Sequence, residues 1–137
     1  MNQALDDRTQ LRIQLEAEAI LGLLARCEAG TDSLVSSEIL EQETDQNPQW
    51  RRKIYARGVL ALADRVIAAD DGVVQRAKVL EIRGFKAFDA LHVACAEAGA
   101  VDRLCTCDDR FLKKARTQTD LAVIILSPLD LAAEVLT

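Results

Sequence analysis

Apolar residues recur along this chain at helical and at strand spacings, and the alternation between the two predicts its elements. Between Thr9 and Ala29, Leu11, Leu15, Ala19 and Leu23 recur every fourth residue, with Ile13, Ala17, Ile20, Leu21 and Leu24 beside them. That spacing predicts a long helix with a broad apolar face. Gly30 is a natural stop. Leu34 and Val35 read as a short strand, and Ser36 or Ser37 caps a helix from Glu38 to about Asp45. Its opening acids suit the helix dipole. Asn47-Pro48 breaks it. Gln49 to Ala63 reads as the next helix, with Trp50, Ile54, Tyr55, Leu60 and Leu62 available for burial and Arg51, Arg52, Lys53 and Arg57 as a basic face. Val66 to Ala68 is a strand. Asp70 or Asp71 opens a helix to Ile82, and Gly84 ends it.

The chain is organised around Phe85 to Arg116. Lys86 to Gly99 carries apolar residues at Phe88, Leu91, Cys95 and Ala98, so one helical face is expected to be buried. Gly99 can end that helix in a left-handed cap. Leu104, Cys105 and Thr106 read as a short buried strand. Asp108 or Asp109 can then N-cap a helix from Arg110 to Arg116. Leu121 to Leu126, LAVIIL, is the clearest strand, a near-continuous apolar run of the kind found in a sheet covered on both faces. Pro128 starts a last helix to about Val135.

Strands alternating with helices predict a three-layer α/β/α fold around a short parallel sheet of about four strands. The 137 residues suit one domain, spanning 1–137. Half of them are hydrophobic and few are aromatic, so the core should be aliphatic and Ala-rich. A net charge of −5 offers no general attraction to nucleic acid, so any such contact needs a local basic patch. No signal peptide or membrane-length apolar run is visible, and the cytosol is the expected compartment. Cys27, Cys95, Cys105 and Cys107 are then expected as free thiols, and a single His leaves no usual zinc pattern.

Two carboxylates have special positions. Asp89 lies near the start of a helix, and Asp108 lies just past the carboxyl end of a strand, where open α/β sheets place their sites. Held on rigid elements, they could share a hard cation such as Mg²⁺. The competing reading makes Asp89 a partner of the helix dipole and Asp108 a cap. Thr106, two residues before Asp108, can place its hydroxyl on the same side. His92, three residues after Asp89, shares its helical face, either as a base or bonded to a neighbour. Arg110, Lys113, Lys114 and Arg116 could touch a phosphate backbone or form a solvated face.

The stretch FDALHVACAEAGAVDRLCTCDDRFLKKA resembles the C-terminal half of the PIN domain family, whose members carry Asp-Ala-Leu-His, a helix, and a strand ending Thr-x-Asp. The likeness extends from about Asp6 to Leu131 and rests on the helix, Thr106-Cys107-Asp108 and Phe111 together. It implies a ribonuclease scaffold with Mg²⁺- or Mn²⁺-dependent phosphodiester hydrolysis. Many relatives are toxins of the VapC-like kind, neutralised by an antitoxin peptide. It assigns Asp89, Asp108 and Glu43 as metal ligands, and Thr106 as a supporting residue. Glu43 is chosen because the family places an acid about six residues after a Ser at this strand end, as Ser37 and Glu43 are; Glu38 is the alternate, as is Asp109 beside Asp108.

The chain departs from the family at its amino end. The family's first strand runs into Asp-Thr, whereas Asn2 to Asp7 resembles the segment after that strand, with Asp6 and Asp7 in a loop. The resemblance thus implies a chain lacking that strand and its Asp: either a degenerate relative or one whose true start lies upstream. Two functions are then open: a PIN-like ribonuclease, weak or inactive as it stands, or a non-catalytic binding or oligomerisation module. A sheet short of a strand, beside Leu-rich helices, also predicts a homodimer or larger homo-oligomer.

Overall fold

The computed structural model describes residues 3–136, the side chains of residues 3–7 excepted. In chain order the elements are α1 (Gln3–Glu28), β1 (Val35–Ser37), α2 (Glu38–Asp45), α3 (Trp50–Leu60), β2 (Arg65–Ile67), α4 (Asp71–Ile82), α5 (Ala87–Ala98), β3 (Arg103–Cys105), α6 (Asp109–Arg116), β4 (Ile124–Leu126) and α7 (Pro128–Val135). This is an α/β fold with parallel strands at the expected segments. The caps explain the boundaries. Ser37, Asp70, Asp108 and Ser127 each accept a backbone N–H from the first turn of the helix they precede. Pro128 sits at the start of α7, where its missing donor costs nothing.

The strands do not form one sheet among the described residues. β1 pairs in parallel with β2, Val35 opposite Arg65 and Ser37 opposite Ile67. β3 pairs in parallel with β4, Arg103 opposite Ile124 and Cys105 opposite Leu126. The two pairs remain separate sheets. α5 touches both β2 and β3, so one helix spans the two pairs. Its buried face is Ala90, Val93, Ala94, Cys95 and Ala96. The small side chains let α4 lie close, presenting Val73, Ala77 and Leu80. Phe111 of α6 meets Phe85 edge to face at 6.1 Å, which ties α6 to the start of α5. α1 packs on α7.

Several expectations need correction. Helix α1 already begins at Gln3, so the backbone of Asp6 and Asp7 is helical rather than in a loop. Its apolar face is largely open: Leu11, Ile13, Leu15 and Leu21 are exposed. Trp50, Ile54 and Tyr55 are exposed as well, and α3 buries no residue. Phe88 is 40% exposed because α5 turns its smaller residues inward. Only Ile124 to Leu126 of LAVIIL pairs, and Ile124 is 51% exposed, so this strand is not covered on both faces; nor is β3 buried, since Arg103 and Cys105 are exposed.

The turn after α5 also differs. Gly99 has φ −84, and the left-handed residue is Ala100 at φ 54. Gly99 is there for contact: a Cβ would lie 2.3 Å from Ile67 Cδ1 and 2.8 Å from its Cγ1. Its carbonyl also accepts a hydrogen bond from Arg65 at 2.5 Å. The two adjacent positions therefore respond in opposite directions. Gly99→Ala should destabilise by about 1–3 kcal/mol through overpacking. Ala100→Gly should stabilise by roughly 0.5–1 kcal/mol, since relief of left-handed strain exceeds the added chain entropy. Urea midpoints that moved in the same direction for both variants would contradict this account.

Candidate active site

The carboxyl ends of β1 and β3 each deliver acids toward the start of α5. Asp89 sits in the first turn of α5 and is half-buried. Asp108 follows β3 and caps α6, its Oδ1 accepting from the N–H groups of Arg110 at 2.9 Å and Phe111 at 3.2 Å. Thr106 fixes the approach. Its N–H donates to the Leu126 carbonyl at 3.0 Å, which extends the β3–β4 ladder. Its Oγ1 accepts from the Asp108 N–H at 3.1 Å. The Thr106 hydroxyl thus shapes the turn that aims Asp108.

Glu43 comes from α2 and faces α5. Its Oε2 lies 3.4 Å from His92 Nε2, an ion pair only when His92 is protonated. Of the two roles open to His92, hydrogen bonding to a neighbour is the one seen here. Electrostatics tie the group together. Burial pushes the Asp89 carboxyl above its ordinary range, and the charges of Asp108 and Glu43 push the same way, against His92 and Lys86. Asp89 therefore senses the charges of Asp108 and Glu43, although 19 and 46 residues of sequence separate it from them.

The alternates are engaged elsewhere. Glu38 Oε1 accepts the Ala69 N–H at 2.7 Å, bracing the start of α2 against the end of β2. Asp109 takes both guanidinium arms of Arg12 at 2.6 and 2.9 Å, and that contact lowers its pKa. Arg110, Lys113 and Arg116 are exposed, while Lys114 is half-buried, its side chain lying against Gly84. Residue patterns missed two members of this neighbourhood. Ser36, almost fully buried, donates to Glu41 Oε1 at 3.1 Å. A Ser followed five residues later by Glu was the available signal. Glu16 of α1, also nearly buried, lies beside Cys107. Although Cys107 is exposed, partial desolvation and a hydrogen bond with that carboxylate push its thiol up to about 11, which disfavours the thiolate.

The oxygen-only donor set of Asp89 and Asp108 suits a hard cation, which commonly takes one or two carboxylates plus substrate phosphates. The expectation that three acids converge within one cation's reach is not met: among the described residues no group of three His, Cys, Asp or Glu side chains is arranged to hold a metal ion. Glu43 stays on His92 instead. Asp89 and Asp108 are thus the pair whose chemistry fits Mg²⁺ or Mn²⁺, without a third ligand among the described residues.

The raised Asp89 pKa has a stability consequence. The folded state binds the proton more tightly than the unfolded state, so stability falls as pH rises through the window between the ordinary Asp value, ~3.9, and the raised folded value. Asp89→Asn removes the charged form and should raise the melting temperature at pH 7. About 1–3 °C is expected for partly solvated like charges. The advantage should vanish near pH 3. An equal shift at both pH values would mean that the effect is not electrostatic.

A family model for the PIN domain matches residues 11–117. No curated protein sequence and no solved structure matches the chain significantly. The matched segment runs from α1 through α6, so it includes Glu43, Asp89, Thr106 and Asp108 as well as all but one of the strands. On the strength of that match, across an α/β scaffold of short parallel strands, the chain belongs to the PIN domain family.

Proposed function

We propose that this chain is a PIN-fold scaffold of the metal-dependent endoribonuclease class, acting on RNA phosphodiesters with Asp89 and Asp108 as its metal-binding pair. The supporting observation is the delivery of these carboxylates from separate elements to one neighbourhood, where the charge of Asp108 acts on Asp89. A Mg²⁺ or Mn²⁺ ion supplies activation of water and stabilisation of charge on the phosphate in such chemistry. The chain's own residues provide position. Thr106 and two α6 N–H groups aim Asp108. α5 carries Asp89 on a packed helix, and Glu43 and His92 flank the pair. Arg110, Lys113 and Arg116 along α6 offer phosphate contacts near it.

We further propose that the scaffold as it stands is weak, because its parallel sheet is short of a strand between β1 and β3. Two features support this. The strand pairs are separate yet spanned by α5. α1 begins on the side where Arg12 holds Asp109, beyond the carboxyl end of β3, and ends before the amino end of β1. A helix running from carboxyl edge to amino edge is the return half of a strand–helix–strand crossover. A strand entering α1 would exit beside Asp89 and Asp108, and the family pattern ends it in Asp. Leu11, Ile13, Leu15 and Leu21, exposed on α1, support self-association or cover by an antitoxin-like peptide, as in a toxin–antitoxin pair of the cytoplasm.

A missing carboxylate ligand is worth about 1–3 kcal/mol net, roughly ten- to a hundredfold in metal affinity. The 137 residues alone are therefore expected to cleave single-stranded RNA poorly in Mg²⁺. Adding an apolar strand of about six residues ending in Asp-Thr ahead of Met1 should restore cleavage, and Asp89→Asn should abolish it again. Brisk Mg²⁺-dependent cleavage by the unextended chain, lost on Asp89→Asn, would show that the acids present suffice. Absence of cleavage in the extended chain would favour the second reading, a non-catalytic PIN-fold module, for which the lack of a third converging ligand among the described residues is the supporting observation.

A further inference from the structure

Helix α3 is unlike the rest of the surface. Its sequence, WRRKIYARGVL, has four cationic residues and no acid, in a chain of net charge −5. At helical spacing, Arg57, Trp50, Ile54, Gly58, Arg51 and Tyr55 fall on one continuous face, and all six are exposed. Trp50 is 65% exposed and Tyr55 58%. A Cβ at Gly58 would meet nothing within 4 Å, so the middle of the face is open. The Arg51 guanidinium lies 5.4 Å from the Trp50 ring centre, which holds a cation over an aromatic plane. Half-buried Lys53, Ala56, Val59 and Leu60 form the opposite side.

We propose that this face of α3 is a docking platform for single-stranded RNA, with Trp50 and Tyr55 stacking on bases and Arg51 on the backbone. The inference rests on the nuclease reading and extends it to a surface outside the acid site. Two features favour this occupant. Aromatic planes alternating with arginines match the needs of a single strand, whose bases have free faces and whose phosphates need cations. A second copy of this chain, docked through the same face by twofold symmetry, would bring like-charged helices together. The platform adjoins the acids through the α2–α3 turn: Arg57 pairs with Asp45, two residues beyond Glu43.

Trp50 is the only tryptophan, so its fluorescence reports this face alone. The test titrates the full chain with a labelled 12-nucleotide oligouridylate in EDTA, where cleavage cannot interfere. RNA should quench Trp50. Trp50→Ala with Tyr55→Ala should weaken binding by about ten- to a hundredfold, measured by anisotropy because the Trp signal is lost. Arg51→Gln should lower the slope of log affinity against log salt by about 0.7. All the substituted side chains are exposed, and circular dichroism should show an unchanged fold. Unquenched Trp50, or unaltered binding by the aromatic variant, would overturn the proposal. So would concentration-dependent shielding of Trp50 without RNA, which would assign the face to a second copy. Metal-free RNA binding through α3, with no cleavage in Mg²⁺ even by the strand-extended chain, would uphold the platform and count against the nuclease reading. Cleavage with KM unchanged in the aromatic variant would do the reverse.

Discussion

The structure depends on how closely α5 can be buried. A helix that must touch α4 on one side and two separate strand pairs on the other has no room for bulk, and its inward face is Ala90, Val93, Ala94, Cys95 and Ala96. Small residues bring backbones close, so the contact is tight although each side chain removes little apolar area from water. Larger residues on α4 complete the fit, with Leu80 and Val73 almost wholly enclosed. The same requirement reaches the turn after the helix, where Gly99 passes so close to Ile67 that a methyl group would collide. Because α5 is so well held, the acid in its first turn has a fixed address.

What that address brings together is repulsive. Asp89 and Asp108 approach without a balancing guanidinium, whereas most other acids with long-range contacts are neutralised by one: Asp109 by Arg12, Glu97 by Arg76, Asp120 by Arg83 and Glu134 by Arg103. A fold that pairs its structural carboxylates this regularly, and leaves burial and the charge of Asp108 to push the Asp89 pKa up, carries a cost that a bound cation would reduce. Asp108 can serve both purposes. Its Oδ1 takes the two capping bonds, which leaves Oδ2 clear of them. The capping and metal-binding interpretations of this residue therefore describe two oxygens of one carboxylate.

Charge distribution, rather than net charge, governs the contacts available to this molecule. The overall −5 would repel a polyanion at a distance, yet α3 and the last turn of α6 are local concentrations of Arg and Lys. At physiological salt a charge is felt over roughly 8 Å, so a helix-sized basic face acts on its own. The exposed apolar residues follow a similar division. Those on α1 lie along a helix that covers α7 and leaves its other side open, while those on α3 are interleaved with arginine.

Much of the secondary structure was legible in the chain itself. Ser37 as cap, the start at Pro128 and the segments of four strands follow from local chemistry: hydroxyl and carboxylate acceptors at helix starts, β-branched apolar runs, and glycine or proline at the breaks. The placement of Asp89 at a helix start and of Asp108 just after a strand was also legible locally. What local pattern could not reveal was burial. Trp50, Ile54, Tyr55 and Phe88 have apolar side chains at core-like spacing, yet they face outward because no element among the described residues covers them. The partner of Glu43, the diversion of Glu38 to Ala69 and of Asp109 to Arg12, and the division of the strands into two pairs all depend on contacts across tens of residues. Periodicity states which side of an element is apolar; only the packing of the whole chain decides whether anything arrives to cover it.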